Sequence, residues 1–227
     1  MNAKKPPLVI DMISDTVCPW CYVGFRGLDW AVMGLSFNYD ISVRYRPYRL
    51  DPDIPPEGRD RAATIARKFP DAEQRAQVLG ALKEAMLDVG LDFLPETPAR
   101  IPDTTDSHRL IRWAQEEDKG REMKGALFDA YWQHGEDISH LEVLTQVVTE
   151  VGLDAVGYRE RLKSPEDREA VRQDAAEYRG AGTIQGVPTF IVNEQLGFQG
   201  ALPKAELLGG IRQLAEESTP PDLEEDD

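Results

Sequence analysis

The sequence predicts an α/β protein whose strand-forming ends are separated by a long all-helical block. Three observations carry this. A β-branched run at 8–14, a helical pattern from Pro19 and an alternating run at 40–47 make a strand–helix–strand front. From about residue 58 to 181 nearly every periodic signal is helical. Two short strand runs, 189–192 and 195–199, then precede a closing helix.

The first strand is rich in Val, Ile and Leu and ends in Ser14-Asp15-Thr16-Val17-Cys18-Pro19-Trp20-Cys21. From Pro19 the period changes: Val23, Leu28, Val32 and Leu35 recur near 3.6, with Phe25 and Trp30 adding bulk, and Gly34 marks the end. Ile41, Val43, Tyr45 and Pro47 then share one face of a second strand. A strand–helix–strand unit favours a parallel pair with a right-handed crossover. The Pro-rich stretch 51–60 breaks the chain.

Beyond it, Val78, Leu82, Ala85 and Val89 line one helix face; Leu110, Trp113 and Ala114 another; Leu127, Phe128, Tyr131 and Trp132 form a heavy apolar stripe. Ser139 with Glu142 reads as a capping box. Ser164-Pro165 reads as an N-cap followed by proline at the first helical position. After 183, Asn193-Glu194 forms the turn between the last two strands, and a helix runs from about 203 to 217. Residues 218–227 are acidic and proline-containing, the composition of a disordered tail.

The formal charge of −15 disfavours binding to phosphate backbones or anionic lipid surfaces, so neither nucleic acid nor membrane is an expected partner. No apolar run approaches the ~18 residues needed to span a bilayer. The short apolar stretch near the N-terminus is interrupted by Asp11, unlike a secretory signal. A cytoplasmic protein is expected on these grounds.

Both cysteines of the chain, Cys18 and Cys21, lie two residues apart. A disulfide closing so short a loop adds only roughly 2 kcal/mol, and a reducing compartment works against it. A structural zinc site needs four ligands, and neither a second cysteine pair nor the usual spacing of histidines is present. A redox dithiol fits better. Cys18 stands between a strand and a helix, with Pro19 at the first helical position, where unpaired N–H groups and the helix dipole stabilise a thiolate. Cys21, one turn on, is placed to resolve a mixed disulfide. Pro19 and Trp20 between them tune the pair. No bound metal or cofactor is expected; glutathione or a cellular dithiol is the expected redox partner.

A second feature lies far away, at Gly186-Val187-Pro188-Thr189-Phe190. Proline ahead of a strand serves a turn, or else forms a cis bond with Val187 that packs this loop against the sulfurs and leaves the Val187 backbone open to a substrate strand. The thioredoxin superfamily, which these two features together resemble, often uses a buried acid as a proton relay; it has no clear counterpart here, Asp11 and Asp15 being the nearest candidates, and Asp15 reads more simply as holding the turn.

These residues resemble a known family. CPWC in a strand-to-helix turn with GVPTF far downstream is similar to the DsbA-like thioredoxin superfamily. SDTVCPWCYVG, YRPYRLDPDIPPEG, DSHRLIRWA, LFDAYWQHGEDISHLEVL and GVPTFIVN together look like its FrnE-like branch of dithiol–disulfide oxidoreductases or isomerases. The resemblance implies a thioredoxin fold split by a large all-helical insertion domain. Residues 7–52 and 183–217 would form the thioredoxin-like part and 58–181 the insertion. It implies a catalytic pair at Cys18 and Cys21, a substrate-binding loop at Val187 and cis-Pro188, and protein or small-molecule thiols and disulfides as substrates. DMISDTVCPWCYVGF also resembles kappa-type glutathione transferases and hydroxychromene-carboxylate isomerases, whose motif carries serine where Cys18 stands; glutathione-dependent isomerisation or transfer is the alternative. A third reading is a non-catalytic binding module in which the helical block holds a partner; because a helical insertion over the thiols would make an apolar cleft, this role is compatible with the oxidoreductase.

Overall fold

The structure, a computed structural model, describes residues 5–93, 95–180 and 182–218. Its centre is a four-stranded sheet in the order β2–β1–β5–β6. Strand β1 (Pro7–Ser14) runs parallel to β2 (Asp40–Pro47), with Leu8 opposite Ile41 and Ser14 opposite Pro47. Strand β5 (Thr189–Val192) lies antiparallel on the other side of β1, and β6 (Gln195–Gln199) closes the edge. The front and back of the chain therefore share one sheet. β1 is the strand covered on both faces, which explains its near-continuous apolar run.

One residue breaks that run. Asp11 faces Arg44 in the register of the parallel pair and is held by the guanidinium groups of Arg44 and Arg46, the latter at 2.6 Å. This engagement removes Asp11 from the proton-relay candidates. At the other end of β1, Asn193 and Glu194 adopt left-handed φ values of 45° and 67°, the backbone of a two-residue hairpin turn. Asn193 Oδ1 also accepts the Val9 N–H at 2.9 Å, fastening the turn to the central strand.

Helix α1 (Pro19–Leu35) follows β1 and packs with the closing helix α9 (Lys204–Ser218). Between β2 and β5 come a two-residue ribbon of β3 (Arg59–Asp60) and β4 (Arg100–Ile101), and the helices α2 (Arg61–Lys68), α3 (Ala72–Asp88), α4 (Thr105–Glu116), α5 (Gly120–Phe128), α6 (Leu141–Val151), α7 (Ala155–Lys163) and α8 (Arg168–Gly180). A π-helical turn, Asp129–Gln133, extends α5. The helical block shares the sheet's core. Leu8, Ile10, Met12 and Phe190 of the sheet, Phe25 and Leu28 of α1, and Trp113, Leu127, Phe128 and Trp132 of the block form one buried cluster. Tyr22 of α1 is stacked between Phe93 and Phe128, at 5.4 and 5.0 Å between ring centres.

Several expectations are corrected. The capping box at Ser139 does not form: His140 is the N-cap of α6, and the Ser139 hydroxyl instead donates to Asp137 Oδ1 at 2.6 Å, a charged acceptor two residues upstream. Ser164 ends α7, its hydroxyl donating to the Arg161 carbonyl, and α8 begins only at Arg168 after Asp167 turns left-handed. Trp30 is 39% exposed at the outer face of α1. Ser218, assigned from sequence to the acidic tail, is the last residue of α9; the rest of that tail, 219–227, lies outside the described residues.

Candidate active site

Cys18 is the N-cap residue of α1, in extended conformation, and Pro19 occupies the first helical turn, which contains no acidic residue. Its carbonyl accepts the N–H groups of Cys21 (3.1 Å) and Tyr22 (3.3 Å), which folds the four-residue motif into a helix start. Both cysteines are free thiols, Cys18 5% exposed and Cys21 0%.

Their acidities diverge. A hydrogen bond from the Cys21 thiol holds Cys18 below the ordinary thiol range against the opposing effect of burial, and the Cys21 and Trp20 backbone amides at the helix mouth add to the lowering. Burial pushes Cys21 far above that range, and the charge on Cys18 pushes it further. Both shifts act in the same sense, favouring the anion on Cys18 and the protonated form on Cys21.

The distant loop arrives where the thiol is. The Val187–Pro188 peptide bond is cis, and Cys18 Sγ lies 3.9 Å from the Val187 carbonyl oxygen. Gly24 makes the approach possible: a Cβ there would stand 2.6 Å from Pro188 Cγ. Pro188 is buried, while Val187, Pro19 and Trp20 are half-buried around the sulfur.

Beneath the pair lies a polar cluster that sequence reasoning only partly anticipated. Asp15 is 1% exposed. Its backbone carbonyl accepts the Cys18 N–H at 3.2 Å, and Oδ2 accepts the N–H of Leu50, 35 residues away, at 2.8 Å. It therefore secures the segment after β2 rather than its own turn alone. Oδ1 has no hydrogen-bond partner and lies 3.6 Å from His108 Nε2. That nitrogen donates to the Tyr48 carbonyl at 3.0 Å, and burial lowers the histidine's basicity, leaving a neutral ring. Lys124 of α5 is fully buried with Nζ unpartnered, and burial lowers it to about 8.

The inserted helices clamp this region. The Trp132 indole N–H donates to the Thr16 carbonyl at 3.1 Å, and Thr16 and Ser107 share a hydroxyl hydrogen bond of 2.9 Å. The sequence did carry one sign of Lys124. Positions 120, 123, 124, 127 and 128 fall on one helical stripe, and all five are buried, so a lysine occupies a core position. Among the described residues no group of three or more His, Cys, Asp or Glu side chains comes together as a metal site, and no helix is long and apolar enough to cross a membrane.

A four-stranded sheet with a dithiol at the mouth of α1, faced by a cis-proline loop, defines a thioredoxin-type α/β protein with an inserted helical block. The chain belongs to the DSBA-like thioredoxin domain family, whose model matches residues 9–211. Membership places it, in general terms, among thiol–disulfide oxidoreductases. The chain is 27% identical over 188 residues to the uncharacterised protein YwbO of Bacillus subtilis strain 168, covering 82% of this chain and 86% of that one. The crystal structure of a probable DsbA oxidoreductase, SCO1869 of Streptomyces coelicolor, superposes with a TM-score of 0.82 at 26% identity, over 94% of this chain and 92% of that one. The cytosolic disulfide reductase DsbM of Pseudomonas aeruginosa, solved with GSH, shares the fold at 18% identity and a TM-score of 0.62, over 92% and 96% of the two chains.

Proposed function

We propose that this protein exchanges thiols and disulfides through the Cys18-Pro19-Trp20-Cys21 pair, with Cys18 as nucleophile and Cys21 as resolving thiol. The observation that carries the reading is the placement of Cys18 as the N-cap of α1, with Cys21 one turn on and the Val187 carbonyl oxygen 3.9 Å from the Cys18 sulfur; the opposite directions of the two acidities agree with it. In the reducing direction the Cys18 thiolate attacks a substrate disulfide, R–S–S–R′. A mixed disulfide Cys18–S–S–R forms, and R′–S⁻ leaves with the electron pair. Cys21 then loses its proton and attacks Cys18 Sγ; the intramolecular disulfide forms as R–S⁻ departs. The substrate gains two electrons and the enzyme loses two. Oxidation of a substrate dithiol is the same sequence reversed.

Val187 and Pro188 form the substrate-binding loop in this reading. The Val187 carbonyl beside the sulfur supports an extended substrate segment docking there by backbone hydrogen bonds. Trp20, half-buried next to the thiol, supplies an apolar contact for the same segment. Glutathione or a cellular dithiol returns the pair to its starting state. With no third cysteine to form a structural disulfide, the chain suits a reducing compartment, which supports a cytoplasmic location. The motifs quoted above support the FrnE-like branch. Glutathione-dependent isomerisation or transfer leaves Cys21 without a task, and the pair therefore favours redox exchange.

The experiment is an insulin-reduction assay with dithiothreitol or glutathione as reductant. The wild-type protein is expected to accelerate precipitation of the insulin B chain, and Cys18→Ser is expected not to. A Cys18→Ser protein with full activity would overturn the proposal.

A further inference from the structure

Lys124 is fully buried, its Nζ has no hydrogen-bond partner among the described residues, and the exchange mechanism above gives it no task. An ionised group left in such a place is costly. Its surroundings supply a reason to keep it. On one side are the redox residues: among the charges acting on Lys124, Cys21 is the strongest, followed by Asp15 and Cys18. On the other side Lys124 borders a cavity of about 180 Å³, walled by Tyr45 and Arg46 of β2, His108 and Arg112 of α4, and Asp174 of α8. A single water needs only about 10–15 Å³ of such space, so the cavity admits several. Arg46, Arg112 and Asp174 are 37%, 41% and 42% exposed, which opens its mouth to solvent. None of Trp20, Val187 or Pro188 borders it.

Cys21 is 0% exposed, yet it must lose a proton whenever it resolves a mixed disulfide and regain one whenever the disulfide is reduced. We propose that Lys124 accepts that proton and releases it to solvent by way of the cavity, so that proton exit and substrate entry use different faces of the site. The inference rests on the dithiol reading. In the resolving step the Cys21 thiol gives its proton to the neutral Lys124 amine, and the thiolate attacks Cys18 Sγ. The bond from Cys18 to the substrate sulfur breaks, and R–S⁻ leaves with the electron pair. The ammonium then passes its proton to cavity water.

The neighbouring charges favour this role. Arg46 is paired with Asp11 at 2.6 Å and Arg112 with Asp174 at 3.1 Å, while His108 is neutral. The Phe128 ring lies 5.2 Å from Nζ on the lysine's own element, and Tyr45 of β2 is kept un-ionised by burial. Asp15 Oδ1, from the β1–α1 turn, is the carboxylate oxygen in the cluster that lacks a hydrogen bond. With Lys124 lowered to about 8, about a tenth of it is neutral at pH 7.

The test mixes reduced protein with oxidised glutathione, quenches with acid, and follows the glutathionylated Cys18 species by mass spectrometry between pH 6 and 9. Lys124→Met preserves bulk and removes the amine. Its decay of the mixed disulfide at pH 7 is expected to slow about 10²-fold, while alkylation of Cys18 by iodoacetamide stays close to the wild-type rate. Ethylamine is expected to restore resolution in Lys124→Ala and not in Lys124→Met. In the unsubstituted protein the decay rate rises through an inflection near 8 that Cys18 alkylation lacks; this arm stands even if a variant fails to fold. Wild-type resolution by Lys124→Met, an equal loss in both steps, or no such inflection overturns the proposal. If no mixed disulfide forms on Cys18 at all, the dithiol reading itself fails and takes this one with it.

Discussion

Cys18 Sγ lies 3.9 Å from the carbonyl oxygen of Val187, a residue 169 positions away in the chain. The contact places a loop from the end of the sequence against the sulfur from its beginning, and it exists because β5, besides pairing with its sequence neighbour β6, also pairs with β1. Everything proposed for substrate docking depends on that juxtaposition.

The division of labour between the two sulfurs is tested by trapping. Cys21→Ser is expected to accumulate mixed disulfides through Cys18 when incubated with oxidised glutathione, visible as a stable adduct in mass spectrometry, whereas Cys18→Ser accumulates none. Adducts that form equally well on Cys21 in the Cys18→Ser protein would reverse the assignment.

The lowered acidity of Cys18 carries a sign for stability. Its folded value lies below the unfolded thiol value near 9. Its contribution is therefore complete above the unfolded value and is lost as pH falls through the folded one. The stability gap between the reduced wild type and Cys18→Ser, measured by urea unfolding, should widen from pH 5 to pH 9. A gap that narrows over that range contradicts the thiolate assignment.

Gly24 is the position at which α1 admits the Pro188 loop. Gly24→Ala must displace Pro188, since the added Cβ would come within 2.6 Å of its Cγ. A loss of about 1–3 kcal/mol is expected, together with a raised KM for disulfide substrates. Unchanged stability and KM would mean that the loop adjusts freely and is not held by the helix.

Lys124→Met should stabilise the protein at neutral pH. The lysine falls from an ordinary value of 10.5 to about 8 on folding, so the unfolded chain binds more protons between those limits and wild-type stability rises across them. The variant's advantage is expected to be on the order of 3 kcal/mol at pH 7 and to vanish above pH 10.5. Chemical denaturation at pH 7 and at pH 10 decides it; a less stable variant at pH 7 rules out an uncompensated buried amine.

Arg109 holds the helical block together. It is 0% exposed and donates to the carbonyls of Glu166 (2.7 Å), Leu162 (3.1 Å), Arg161 (2.8 Å) and Ser164 (2.8 Å), gathering the turn between α7 and α8. Arg109→Lys keeps the charge and loses the planar fork. It should cost about 2–4 kcal/mol in thermal or urea unfolding, with the acidity of Cys18 unaffected. A cost below about 0.5 kcal/mol would fall in the range of ordinary surface changes and remove the clamp.

Much of the fold could be read locally. β1, α1, β2, β5, β6 and α9 follow from periodicity and from Pro, Gly and Asn at element ends, because each buries one face and that face repeats at the period of its own backbone. The two caps read from sequence at Ser139 and Ser164 failed because the helices start later than the sequence reading placed them: His140 is the N-cap of α6, and α8 begins at Arg168, so that Ser164 Oγ accepts the Glu166 N–H within the turn ahead of that helix. The ribbon of β3 and β4 was invisible because two-residue strands have no period to detect.

The sequence by itself determined the dithiol and its place at a helix start, since adjacency in the chain fixes Cys18, Pro19 and Cys21 relative to the first turn. Only the tertiary structure decided what surrounds the sulfurs. Val187 comes from the far end of the chain, His108 and Lys124 come from helices inserted between the strands, and Asp15 reaches forward to Leu50. A buried charge is set by neighbours in space, through distance and loss of water, and no pattern along the chain encodes those before it folds.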